Sequence, residues 1–208
     1  MKVRFPREIY ERLPGMNARK FNYMVEKKVI YADVRDKGTR GASRLYSPRM
    51  TMVAGLTWYF QHLDFDAYLS AASAYMLISD THCLQEIVDN KDKARNMVLV
   101  VYAQRPLALV PAEEYPKRSP KYREFALNKE CVSIPERMFM GLPRDGPITF
   151  LRANSIIHHV SSLLQVDLEG ERSYLLMEKG QEDDLCPAEV REAVNLRFDQ
   201  MVKTLGLK

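Results

Sequence analysis

The chain has 208 residues, 46% of them hydrophobic and 28% charged, which suits one folded domain of middling size or two small ones. No apolar run approaches the ~18–20 residues that span a bilayer, and the basic start Met1-Lys2-Val3-Arg4-Phe5-Pro6-Arg7 has no apolar stretch behind it, so neither a membrane span nor a signal peptide is expected. Three widely spaced cysteines (Cys83, Cys131 and Cys186) form no CxxC or zinc-ligand pattern, which fits a reducing cytoplasm. The formal charge of +4 is unevenly distributed. Residues 1–63 carry 13 Lys and Arg against 5 Asp and Glu, a net of +8; residues 64–208 carry 18 against 22, a net of −4. A basic head on a weakly acidic body is what a nucleic-acid-binding segment joined to a second unit produces; the plainer alternative is chance fluctuation of charge.

In chain order, Arg7 to Leu13 suits a short helix with Ile9, Tyr10 and Leu13 turned inward, and Pro14-Gly15 ends it. Asn17 follows as an N-cap, its side-chain oxygen placed to accept from the next turn. A second helix is expected over Ala18 to Lys28, with Phe21, Met24 and Val25 as its apolar stripe and Arg19, Lys20, Asn22 and Tyr23 pointing elsewhere. Helix, Gly-containing turn, helix is the helix-turn-helix outline, although two short helices around a Gly turn also occur in proteins that never touch DNA. Val29-Ile30-Tyr31-Ala32-Asp33-Val34 reads as a strand. Arg35 to Arg44, with Gly38 and Gly41 among basic residues, reads as a hairpin wing that brings Lys37, Thr39, Arg40 and Arg44 toward phosphates or a minor groove. Ser47-Pro48 opens a third helix to about Leu63, where Met52, Leu56, Tyr59, Phe60 and Leu63 repeat at helical spacing as core.

The run Met16-Asn17-Ala18-Arg19-Lys20-Phe21-Asn22-Tyr23, then Val29-Ile30, a wing and Arg44-Leu45-Tyr46-Ser47, resembles the DNA-binding domain of MerR-type transcription regulators over about a third of the chain. The resemblance implies that Arg19, Tyr23 and Arg44 contact DNA and that Tyr46 contacts phosphate or braces the wing. Asn22 stands where that family usually has Arg, Met24 where it has a second Tyr, and Lys28 where it has Gly. Asp64 to Ile78 fits the short helix that follows in such domains, with Asp66 near its N-cap. The long helix by which those regulators dimerise is not evident before the charged stretch Asp89-Asn90-Lys91-Asp92-Lys93, although Cys83 to Val88 suits about two turns.

Beyond it, Met97 to Ala103 reads as a buried strand, Leu107 to Val110 and Ile148 to Leu151 as further strands, and Ser173 to Met177 as another. Pro111 to Pro120 is loop-like, Lys121 to Asn128 suits a short helix and Ser155 to Val166 an amphipathic one. Pro187 to Leu205 reads as a final helix with Pro at its first position and Val190, Val194, Phe198, Met201 and Val202 as its stripe. That stripe packs on its own domain or joins two subunits. Adjacent His158-His159 face different ways on a helix and share no metal, and the cysteine spacing gives no sensing set. Met138, Phe139, Met140 and Leu142 suit core or a pocket. No GxGxxG, P-loop, HExxH or GxSxG occurs.

The sequence therefore predicts an α+β protein with a winged helix-turn-helix domain over residues 1–90 and a mixed α/β effector or oligomerisation domain over 91–208. The expected function is a non-enzymatic, cytoplasmic, nucleoid-associated DNA-binding transcription regulator without cofactor or metal. DNA contacts are assigned to Asn17, Arg19, Lys20, Asn22, Tyr23, Lys37, Thr39, Arg40, Arg44 and Tyr46. The expected partners are double-stranded DNA and a second copy of the chain, with RNA polymerase or a small-molecule effector left open. The competing readings are a DNA-architectural or recombination accessory protein, such as the phage excisionases with similar heads, and a winged-helix adaptor or enzyme.

Overall fold

The computed structural model describes residues 3–32, 34–35, 44–79, 84–85, 97–102, 105–111, 122–127, 130–135, 148–175 and 186–204. Helix α1 (Pro6–Tyr10) begins on a proline, whose missing N–H costs nothing in a first turn, and Glu8 accepts from the Phe5 N–H at 3.2 Å. The chain turns through Gly15, at φ +72°, into α2 (Ala18–Glu26). Asn17 caps α2 as expected, accepting from the Lys20 N–H at 2.9 Å. Strands β1 (Val34–Arg35) and β2 (Arg44–Leu45) pair antiparallel, Val34 opposite Leu45 and Arg35 opposite Arg44.

The strand expected over Val29 to Val34 starts five residues late. Lys28 takes a left-handed φ of +54°, its N–H donates to the Val25 carbonyl, and the Val29 N–H donates to Met24 at 2.8 Å. These two hydrogen bonds close α2, with Met24 and Val29 both buried beneath them. Val29 and Ile30 are apolar because they cover the end of a helix.

Ser47 caps α3 (Pro48–Gln61), accepting from the Met50 N–H. Every residue from Pro48 to Trp58 is buried, so α3 has no solvent face and its expected stripe is only part of its contact surface. Helix α4 (Ala67–Ser79) lies along it and is capped by Asp66, whose Oδ1 accepts from Tyr68 and Leu69. Strands β3 (Met97–Tyr102), β4 (Arg105–Pro111) and β7 (Ile148–Arg152) form an antiparallel sheet in the order β4-β3-β7, with β3 buried along its whole length. Strands β5 (Tyr122–Leu127) and β6 (Glu130–Pro135) pair with Tyr122 opposite Pro135 and Leu127 opposite Glu130.

The helix expected over Lys121 to Asn128 is thus a strand. Its helix-forming Arg, Glu, Ala and Leu are overridden by pairing with the β-branched run that follows. Conversely, the strand expected over Ser173 to Met177 is replaced by the short helix α6 (Arg172–Leu175) as far as it is described. Helices α5 (Ala153–Leu164) and α7 (Ala188–Thr204) appear close to where the periodicity placed them. Pro187 stands just before α7 and its carbonyl accepts from Val190 and Arg191, so it caps the helix and does not occupy the first helical position.

The architecture is mixed α+β. The boundary expected at residue 90 lies outside the described residues. A single buried cluster joins Ile9, Phe21 and Tyr46 to Ile156, Val160, Leu164 and Val190. At the α3–α5 crossing Gly55 makes the close approach possible: a Cβ there would stand 2.5 Å from Leu164 Cδ1 and 2.6 Å from Val160 Cγ1.

Candidate nucleic-acid interface

Phe21 fixes α2 from below. Its ring lies 6.0 Å from Tyr10 and 5.6 Å, edge-on, from Tyr46. Two longer-range hydrogen bonds hold the ends of the helix pair: Trp58 Nε1 donates to the Pro14 carbonyl at 3.0 Å, and the Tyr75 hydroxyl donates to the Val29 carbonyl at 3.2 Å. With Phe21 and Met24 buried, the opposite side of α2 presents Arg19, Lys20, Asn22 and Tyr23 to solvent, Tyr23 being 51% exposed. Asn17 is exposed too, but its oxygen is engaged as the cap, leaving its amide nitrogen as the donor. Lys20 Nζ donates to the Gly15 carbonyl at 2.9 Å.

The sequence reading missed Lys27, whose ammonium lies 5.7 Å from the Tyr23 ring centroid, extending the cationic surface along α2. The i, i+4 spacing of Tyr23 and Lys27 was the available signal.

The hairpin contributes Arg44, which is exposed on β2 opposite Arg35. Lys37, Thr39 and Arg40 lie outside the described residues. Tyr46 belongs elsewhere: it is fully buried, its ring against Phe21 and its backbone paired with Arg4 through N–H···O bonds of 2.9 and 3.0 Å. A side chain so placed has no surface to offer a phosphate; of the two roles expected of it, bracing the base of the hairpin is the one its position fits.

Much of the head's positive charge is also directed inward. Arg4 Nη2 donates to the Gln165 carbonyl at 3.0 Å and stands 3.8 Å from Glu171. Arg12 Nη1 donates to the Leu164 carbonyl at 2.8 Å. Arg49 donates from its two terminal nitrogens to Ile78 and Leu175, each at 3.0 Å. The Leu164 and Gln165 carbonyls lie at the C-terminus of α5, where carbonyls lack intrahelical donors and the dipole is negative; Ile78 and Leu175 stand in the last described turns of α4 and α6. Of the thirteen basic residues of the head, Arg4 and Arg12 therefore cap the end of α5, and Arg49 ties α4 to α6 through their last described turns. Lys28 pairs with Glu189 on α7, and Arg7 pairs with Glu11 at 2.7 Å. The remaining cations whose side chains are described, Arg19, Lys20, Lys27 and Arg44, are concentrated on α2, its C-cap and β2.

Elsewhere, His159 stacks edge-on against Tyr59 at 5.7 Å. Burial pushes the Cys186 thiol up to about 11, which outweighs the opposing influence of Arg191. Among the described residues no group of three or more His, Cys, Asp and Glu is placed to hold a metal ion, and no helix is long and apolar enough to cross a membrane. Met138 to Leu142 and Cys83 lie outside the described residues. Comparison with protein-family models, curated proteins and solved structures finds no match.

Proposed function

We propose that the chain is a DNA-binding transcription regulator that lays α2 in the major groove and sets the β1–β2 hairpin on the flanking backbone, in the manner of a MerR-type winged head. The observation that carries this reading is the division of α2 into two faces. One is locked into the core by Phe21 and Met24; the other is solvent-facing and bears Arg19, Lys20, Asn22 and Tyr23, with Glu26 as its one acidic residue, in the last turn, and Lys27 at the C-cap. An α-helix with its side chains is about 10–12 Å across, which the ~12 Å width of the major groove admits. Arg19 and Asn22 are the candidates for base edges. Lys20, Lys27 and Arg44 are candidates for phosphates, with Asn17 and Tyr23 as flanking contacts and Lys37, Thr39 and Arg40 as the wing's share. Two copies of the chain would read half-sites separated by whole helical turns.

Fluorescence anisotropy on fragments from the upstream region of the protein's own gene tests this. Retention of a preferred fragment at moderate salt is expected; no retained fragment would sink the reading. Arg44→Ala should weaken all fragments alike and reduce the salt slope by about one unit. Arg19→Ala or Asn22→Ala should change the preference among fragments, by ~1–3 kcal/mol per lost base contact. Equal losses on every fragment from all three changes would remove α2 from base reading.

A further inference from the structure

A cleft of about 660 Å³ opens on the molecule between the α3–α4 turn, strands β3 and β7 and the C-terminal half of α7. Its apolar wall comes from Leu63, Phe65, Leu69, Val101 and Met201. Phe65 is held rigidly, stacked on Phe60 at 5.8 Å with the rings within 9° of parallel. The volume is that of a site for a drug-sized molecule.

The charges around the cleft are unequally committed. Asp66 caps α4 with Oδ1 and also pairs with Arg197, whose guanidinium lies over the Tyr68 ring at 5.4 Å. Arg197 is thereby paired and held, and the charge of Asp66 is balanced through Oδ1, which takes all three contacts. Asp64 is different. The residue is exposed and lines the cleft, and among the described residues no side-chain hydrogen bond or ion pair engages its carboxylate. Its position is fixed by a left-handed backbone at φ +61° and by its N–H, which donates to the Gln61 carbonyl at 3.3 Å. An apolar wall with one uncommitted carboxylate at its edge selects for an apolar body that carries a positive charge.

We infer that this cleft is a binding site for a small amphipathic amine, with its hydrocarbon or aromatic body on Phe65, Leu69 and Met201 and its ammonium donating to Asp64. Thr149, Gln200 and Thr204 offer hydroxyl and amide groups for further polar substituents. The inference stands independently of whether α2 meets DNA.

The test is calorimetric titration of the full chain with 1-naphthylmethylamine, 1-naphthylmethanol and 1-naphthoate, which share a ring system and differ in charge. Saturable binding of one equivalent of the amine is expected, with the alcohol about tenfold weaker and the carboxylate weakest. Asp64→Asn keeps a residue that tolerates the left-handed backbone and should weaken the amine about tenfold while leaving the alcohol unchanged. Met201→Trp should fill the cleft and abolish binding of all three; circular dichroism checks that both variants are folded. Equal binding of the three probes, an amine affinity indifferent to Asp64→Asn, or no saturable binding would overturn the proposal.

Discussion

Lys28 concentrates two opposing effects in one side chain. Its φ of +54° places a residue with a Cβ in a conformation suited to glycine, which costs ~1–2 kcal/mol, while its ammonium pairs with Glu189 across to α7. Both partners of the pair are largely exposed, so the pair offsets little of the backbone cost. Lys28→Gly should therefore raise stability by about 0.5–1 kcal/mol in denaturant unfolding, whereas Lys28→Ala should not, because it keeps the Cβ and loses the charge. The pH response follows from the same pair. The hydrogen bond to Lys28 lowers the Glu189 carboxyl, and the bond to Glu189 raises the Lys28 ammonium. A lowered acid stabilises above its unfolded pKa and loses that contribution as pH falls through its folded one; a raised base loses its contribution as pH rises through its folded one. The pair thus acts across the neutral range and fails at both ends. Glu189→Gln should be slightly less stable than the parent at neutral pH and converge with it in acid, as thermal unfolding over pH will show.

At the scale of elements, the governing contact is that of α3 with α5. Gly55→Ala gains ~1 kcal/mol of helix propensity but drives a methyl into Leu164 and the stiff β-branched Val160. Since Val160 has one favoured rotamer in a helix, the helices must part, and a net loss of about 1–2 kcal/mol is expected in chemical unfolding. Arg49→Met should cost about 2–4 kcal/mol by the same measurement, because it removes two buried charge-assisted hydrogen bonds, to the Ile78 and Leu175 carbonyls.

These elements also show what a sequence conveys. The caps Asn17, Ser47 and Asp66 were legible because their function is local: each side chain bonds to backbone within three residues. So was the exposed face of α2, since Phe21 and Met24 alone determine which side is hidden. Residues whose partners are distant were not legible. Arg4, Arg12 and Arg49 counted as surface charge, yet they meet carbonyls 161, 152 and 126 residues away. Tyr46 looked like a wing contact until Phe21 closed over it, and Tyr122–Leu127 looked helical until β6 supplied its ladder.

Over the whole molecule, the basic head and the acidic body share one interior. Helix α3 is covered on one side by Ile9 and Phe60's neighbours in the head and on another by α5, whose Ile156, Ile157, Val160 and Leu164 belong to the same cluster. A fragment of residues 1–90 would expose that apolar side together with Arg4, Arg12 and half of the Arg49 partnership. Such a fragment should show weak helicity and no cooperative melting transition, while the full chain unfolds in a single one. A fragment that melted sharply would mean that α5 contributes little to the head.

The arginine caps carry a consequence for how this protein can change over time. A head whose own side chains terminate the helices of its body cannot be traded between genes as a cassette, since either half transplanted alone arrives with stranded carbonyls or homeless guanidinium groups. Change is least costly on the outward face of α2, where Arg19, Asn22 and Tyr23 lie outside the shared interior.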